Sequence, residues 1–178
     1  SSGTTGQEPS RHYVADTSLY ERRFLNTFSL FHGDPSQYMI AALLPSYTER
    51  ENSSLVYMMD RLIRMSSWKG SGFYRDNTAL MLLEIEKATK AGYKVFLMGV
   101  SFALMDLAEK HSPDLKGVTV METGGMKGRR KEITRTELHS ILKKAFNVDT
   151  IHSEYGMTEL LSQAYSPGDG IFRCPPWM

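Results

Sequence analysis

Apolar residues along this chain come in two rhythms, and their alternation predicts its elements. The run in QYMIAALLPSY, Gln37 to Tyr47, is short and unbroken, follows Asp34-Pro35 and ends in a polar turn, which predicts a strand buried on both faces. In SSLVYMMDRLIRM the apolar positions Leu55, Met58, Met59, Leu62 and Ile63 recur at helical spacing, with Asp60, Arg61 and Arg64 between them. An amphipathic helix therefore follows the strand. NTALMLLEIEKATKAG, from Asn77, repeats the helical rhythm with an N-cap candidate at Asn77 and a stop at Gly92, and YKVFLMGV from Tyr93 reads as the next strand. SFALMDLAEKHSP is a helix opened by Ser101 and stopped before Pro113, and GVTVMET from Gly117 is a strand. TRTELHSILKKAF is a helix with Thr134 and Glu137 in capping-box positions, and VDTIHSEYG from Val148 supplies a further strand and turn.

Strand and helix alternating over short connections imply right-handed crossovers and a mainly parallel sheet covered on both faces, so the expected fold is a three-layer α/β/α domain. A length of 178 residues, 41% of them hydrophobic, suffices for one sizeable core, and residues 1–178 are read as one unit. Twenty-one basic against twenty acidic side chains leave a net charge of +1, which gives no general electrostatic case for nucleic acid or an anionic membrane as partner. No run of eighteen apolar residues and no signal peptide stands out, and the single cysteine, Cys174, excludes an internal disulfide, so the default location is cytoplasmic. Cys174 precedes Pro175 and Pro176 and is expected to be a small buried residue rather than a nucleophile. His12, His32, His111, His139 and His152 show no metal-ligand spacing, and only His152 adjoins a candidate motif.

In such sheets ligands lie beyond the carboxyl ends of the strands, and three segments belong there. The chain opens with SSGTTG, in which Gly3 and Gly6 let the backbone approach an anion and Ser1, Ser2, Thr4 and Thr5 offer hydroxyl donors. This is neither a Walker loop nor a dinucleotide fingerprint, and taken alone such a cluster is more often a flexible loop or linker. ETGGMKGRR, Glu122 to Arg130, follows a strand, and Gly124, Gly125 and Met126 can bring backbone against a flat ligand such as a purine. Its plain reading is a glycine turn followed by a solvated basic loop, although Lys127, Arg129, Arg130 and Lys131 can also meet phosphate. SEYGMTEL, Ser153 to Leu160, sets an aromatic, a glycine, a hydroxyl and a carboxylate close together. Tyr155 can stack on a base beside Gly156, Thr158 can bond a phosphate oxygen and Glu159 can hold magnesium. Singly, Tyr155 suits a core position, Thr158 an N-cap and Glu159 a surface acid near a helix start.

Taken in order, the three segments resemble motifs of the adenylate-forming superfamily of acyl-CoA synthetases, adenylation domains and luciferases. SSGTTG is similar to its phosphate loop, TGGMK to its adenine-contacting glycine segment, and YGMTE to its Tyr-Gly-x-Thr-Glu motif. HSEYGMTELLSQAYS and CPPWM look most like the acyl-protein synthetase (LuxE-like) branch, with phenylacetate-CoA ligases as near relatives. The lysine usual after the phosphate loop is absent, and Arg11 of QEPSRHY stands near its place. The resemblance implies activation of a fatty or aryl carboxylic acid by ATP, giving an acyl-adenylate and pyrophosphate. The acyl group then passes to an acceptor, a protein thiol or coenzyme A. It implies phosphate binding by Ser1, Ser2, Gly3, Thr4, Thr5 and Gly6, adenine binding by Gly124, Gly125, Met126, Tyr155 and Gly156, and catalysis by Thr158 and Glu159, with Mg2+ on Glu159. By the same resemblance Tyr47, Val100 and Ser101 line the acyl pocket. A ribose-binding aspartate and a lysine-bearing lid domain are expected outside the chain, which is expected to be inactive alone and to self-associate through exposed apolar edges. A noncatalytic nucleotide-binding module is the alternative of another class.

Overall fold

A computed structural model describes residues 12–44, 53–126 and 130–178, except for the side chain of Thr158. Ser1 to Gly6, Arg11, Tyr47, Lys127 and Arg129 therefore lie outside the described residues.

Six strands form one sheet in the order β2-β1-β3-β4-β5-β6. They are β1 (Tyr38–Leu43), β2 (Gly72–Phe73), β3 (Lys94–Val100), β4 (Thr119–Thr123), β5 (His152–Met157) and β6 (Ser162–Ser166). All neighbours are parallel except β5 and β6, which are antiparallel. Helices α1 (Thr17–His32) and α2 (Ser54–Met65) cover one face. Helices α3 (Thr78–Lys90), α4 (Ser101–His111) and α5 (Arg135–Phe146) cover the other. The three-layer α/β/α arrangement expected from the pattern is the one observed.

Every residue of β1 is buried because the strand is interior and both of its faces are roofed. Its pleat divides the side chains: Ile40 and Ala42 join Phe24, Phe28, Met58, Met59 and Leu62 of α1 and α2, whereas Met39, Ala41 and Leu43 join the opposite core. On α5, Leu138, Leu142 and Phe146 recur every fourth residue and supply the buried stripe of that helix.

Cap chemistry follows the sequence closely. Asn77 accepts from the Leu80 amide and Thr134 from the Glu137 amide, and Gly92 just beyond α3 has φ +81. Ser101 opens α4 without capping it: its hydroxyl turns to Glu122 and the Gly124 carbonyl, and no side chain bonds the helix start. Three elements lie outside the pattern read above: α1, the two-residue edge strand β2 and the antiparallel edge strand β6. Cys174 corrects an expectation, because it is exposed. Arg173 exchanges both backbone hydrogen bonds with Tyr165, and just past that bridge Pro175 takes the buried position while the thiol faces solvent.

Candidate functional site

The strand register brings two of the three candidate segments together. Val100 pairs with Thr123, and Thr123 pairs with Glu154, so the chain leaving β3, β4 and β5 emerges along one edge of the sheet. Gly124, at φ +73, makes the turn away from β4. Gly125 lies open enough that an added Cβ would meet nothing closer than the Glu132 carboxylate at 3.6 Å. The Met126 side chain is buried in the core with α5, which leaves only its backbone to face a ligand. Beside this turn Tyr155 is 44% exposed, so it is not a core residue; its ring meets the edge of Phe172 at 5.9 Å and its hydroxyl donates to the Met157 sulfur. Thr158–Leu160 form a short 3-10 turn in which Glu159 is exposed.

Beneath this edge lie two buried carboxylates, one on each face of the sheet. Glu122, 2% exposed, points toward α4 and α5. Its Oε2 accepts from the Ser101 hydroxyl at 3.2 Å and its Oε1 from Arg135 Nε at 3.0 Å, with His139 Nε2 3.5 Å away. Burial pushes this carboxyl up, but hydrogen bonds from His139 and Ser153 and the Arg135 charge outweigh it and hold Glu122 below the usual carboxylate range. The Arg135 guanidinium also lies over the Phe172 ring at 5.0 Å, which links the buried carboxylate to the surface beside Tyr155. His139 Nε2 is 3.3 Å from the Ser153 hydroxyl. Because the same nitrogen faces both Ser153 and Glu122, His139 cannot relay a proton from one to the other, and the cluster is not a nucleophilic triad.

Glu154 occupies the opposite face. Thr123 donates its hydroxyl to Glu154 Oε2 at 2.5 Å, and burial pushes the carboxyl up to about 7. The other oxygen rests against Gly156, where a Cβ would come within 2.6 Å of it. Tyr165, directly across the strand pair, and Gln163, across from Gly156, flank it on β6. Gln163 donates to the Tyr20 hydroxyl at 3.0 Å. His152 faces this side too, with its ring 6.0 Å from that of His32, and so does not join Tyr155.

Of the basic loop, Arg130 is committed to protein: it binds Asp106 and Glu109 of α4, which raises its pKa. It fastens the loop to α4 and is not free for phosphate. Neither Glu122, Glu154, Arg135, His139 nor Thr123 was singled out by motif. The available signal was positional, a glutamate inside the apolar strand TVMET and another directly before the aromatic of YGMTE.

Among the described residues no group of three or more His, Cys, Asp or Glu side chains gathers as a metal cage. Glu159 is nonetheless a hard, exposed oxygen donor of the kind that holds magnesium together with substrate phosphates and water. No helix among the described residues is long and apolar enough to cross a membrane. Comparison with protein-family models, curated proteins and solved structures gives no match.

Proposed function

We propose that this chain carries the nucleotide side of a site that activates a carboxylic acid with ATP, forming an acyl-adenylate and pyrophosphate, and that the acyl group then passes to a protein thiol. The observation that carries this reading is the pairing of Thr123 with Glu154, beyond which the glycine turn at Gly124 leaves β4 while β5 runs on through the exposed Tyr155. A flat base fits between such surfaces, stacked on the ring and met by peptide groups.

In the reaction the acid's carboxylate oxygen attacks the α-phosphorus of ATP, an oxygen–phosphorus bond forms, and the bond to pyrophosphate breaks. Two anions must approach each other, so groups that stabilise the charge developing on the transferred phosphoryl group control the rate. Thr158 is assigned to the α-phosphate, and Ser1 to Gly6 to the β and γ phosphates. Magnesium held by Glu159 would neutralise charge on the phosphates. Ser101, bonded to the Gly124 carbonyl at 3.0 Å, fixes the glycine turn against the strand end from which the acid is approached. Glu122 and Arg135 hold the floor under Tyr155.

ATP–pyrophosphate exchange by the intact protein, run over fatty, aryl and amino acids, tests the proposal. Glu159→Gln should lower kcat by about a hundredfold or more, some 3 kcal/mol of transition-state stabilisation, with a smaller change in KM for ATP. Near-normal exchange by that variant would remove the magnesium role, and absence of acid-dependent exchange by the wild type, with ATP still raising its Tm, would leave a noncatalytic nucleotide-binding module. Single-turnover transfer to a protein thiol or to coenzyme A decides the acceptor.

A further inference from the structure

On the side of the sheet covered by α1 and α2, polar side chains from β5, β6 and α1 share one buried face. Glu154 pairs directly with Tyr165, and Gly156 with Gln163, so Glu154, Tyr165 and Gln163 project to the same side, where Tyr20 of α1 meets them. Tyr165 is 2% exposed and Gln163 4%. Burial, then the nearby Glu154 carboxyl and the Tyr20 hydroxyl, push the Tyr165 phenol well above its ordinary pKa. A Cβ on Gly156 would lie 2.6 Å from Glu154 Oε1 and 3.5 Å from Gln163 Cγ, so the carboxyl and the amide arm stand on either side of one glycine.

Counting donors and acceptors leaves two groups over. The Tyr20 hydroxyl is complete, because it donates to the Ser54 carbonyl at 3.0 Å and accepts from Gln163 Nε2 at 3.0 Å. Glu154 Oε2 accepts from the Thr123 hydroxyl. The Tyr165 hydroxyl and Gln163 Oε1 are buried and have no hydrogen-bond partner among the described residues. Buried polar groups in native proteins are paired, with protein or with ordered water, because leaving one bare costs more than a hydrogen bond gains. The needs here are complementary. The phenol has a proton to give, Gln163 Oε1 has lone pairs to fill, and Glu154 Oε1 accepts when ionised and donates when protonated. Water meets all three at once. A metal cation accepts no hydrogen bond and would leave the phenol proton unplaced.

We propose that β5, β6 and α1 enclose an internal water site, in which ordered water accepts from the Tyr165 hydroxyl and donates to Gln163 Oε1 beside Glu154 Oε1. His32 Nε2 and Ser162 Oγ are also without partners among the described residues. Neither belongs to this site: His32 lies at the opposite end of α1 from Tyr20, and Ser162, adjacent to Gln163, projects from the other face of β6. The inference needs no nucleotide, so it stands or falls apart from the ATP reading.

A crystal structure of the intact protein, at a resolution that shows ordered water, tests the site together with thermal unfolding of Tyr165→Phe, which removes one oxygen and keeps the ring. Water should appear within hydrogen-bond distance of both Tyr165 Oη and Gln163 Oε1. Tyr165→Phe should lower Tm by about 2–4 °C, the size of one lost hydrogen bond in a chain of this length. If the phenol is truly bare, removing its oxygen relieves a penalty instead, and a Tm equal to or above that of the wild type overturns the inference. It is overturned equally by a direct bond from Tyr165 to Gln163 or Glu154, by an empty site, or by a density peak with the oxygen contacts of about 2.0–2.6 Å that mark a metal ion.

Discussion

Glu154 shows how a single side chain binds the two halves of the site. One oxygen takes the Thr123 hydroxyl at the end of β4, and the other presses on Gly156 in the middle of the Tyr-Gly-Met-Thr run. The glycine is therefore required by its neighbour's carboxyl, not by its backbone angle, which is absent from the positive-φ glycines among the described residues. In Gly156→Ala the new methyl would sit 2.6 Å from Glu154 Oε1 and 3.5 Å from the Gln163 side chain. The carboxyl cannot swing away without losing Thr123, so the variant should lose about 1–3 kcal/mol of stability, measurable by urea unfolding. An unchanged midpoint would mean that Glu154 rearranges freely. The matching buried acid, Glu122, does for Arg135 what Glu154 does for Thr123: it fixes a polar group that then borders the exposed face of the site.

At the scale of elements, α4 and α5 bear on the site differently. α4 begins without a side-chain cap because Val100, which holds the N-cap position, carries no side-chain acceptor; Ser101, the first helical residue, holds the glycine turn, and Arg130 ties the loop after β4 to Asp106 and Glu109. α5 is capped locally: Thr134 accepts from the Glu137 amide at 3.2 Å, and Arg135 follows at once. Thr134→Ala should cost about 1 kcal/mol through the lost cap. Because the start of α5 carries the guanidinium that rests on Phe172, the proposed nucleotide site predicts weaker binding of a fluorescent base analogue by Thr134→Ala, while Thr134→Ser retains both. A Thr134→Ala variant with wild-type stability would show that the cap is replaced by water. The α-helical face of this region was legible in the spacing of Leu138, Leu142 and Phe146, and so was its cap. What Arg135 reaches was not, because its partners Glu122 and Phe172 lie 13 residues before it and on the chain beyond β6.

The whole molecule combines buried groups with opposite responses to acid. Burial, and then the nearby His152, lower the pKa of His32 from 6.5 to about 4, so the unfolded chain takes up the proton first and stability falls as pH drops through that interval. Glu154 acts the other way. Its pKa is raised from 4.5 to about 7, so the folded state holds the proton longer, and its contribution is fully present below 4.5 and lost as pH rises toward 7. Between about 6.5 and 4.5 the two partly cancel. In Glu154→Gln the opposing contribution is gone, so stability should fall more steeply with acid than in the wild type; chemical unfolding at a series of pH values reads this directly. An acid limb no steeper than that of the wild type would mean that Glu154 is ionised in the folded protein.

The layers of the fold were readable in the chain because a strand roofed on both faces must be continuously apolar and a helix lying on it must repeat every third or fourth residue. β1, β3, α2 and α5 obey both demands within a dozen residues each. β6 escaped because SQAYS, although buried at every position, is largely polar and gains its place only by pairing with β5. Motif order by itself pointed to a nucleotide and named Gly124, Gly125, Tyr155 and Gly156. Tertiary structure decided that the segments bearing them run side by side in β4 and β5, that Cys174 faces solvent, that Arg130 is bound to α4, and that Glu122 and Glu154 are buried between those strands and their cover. Backbone periodicity is a local property and is written in neighbouring residues, whereas the partner of a buried charge is chosen by register and crossover, which set which distant side chains share one face of a sheet.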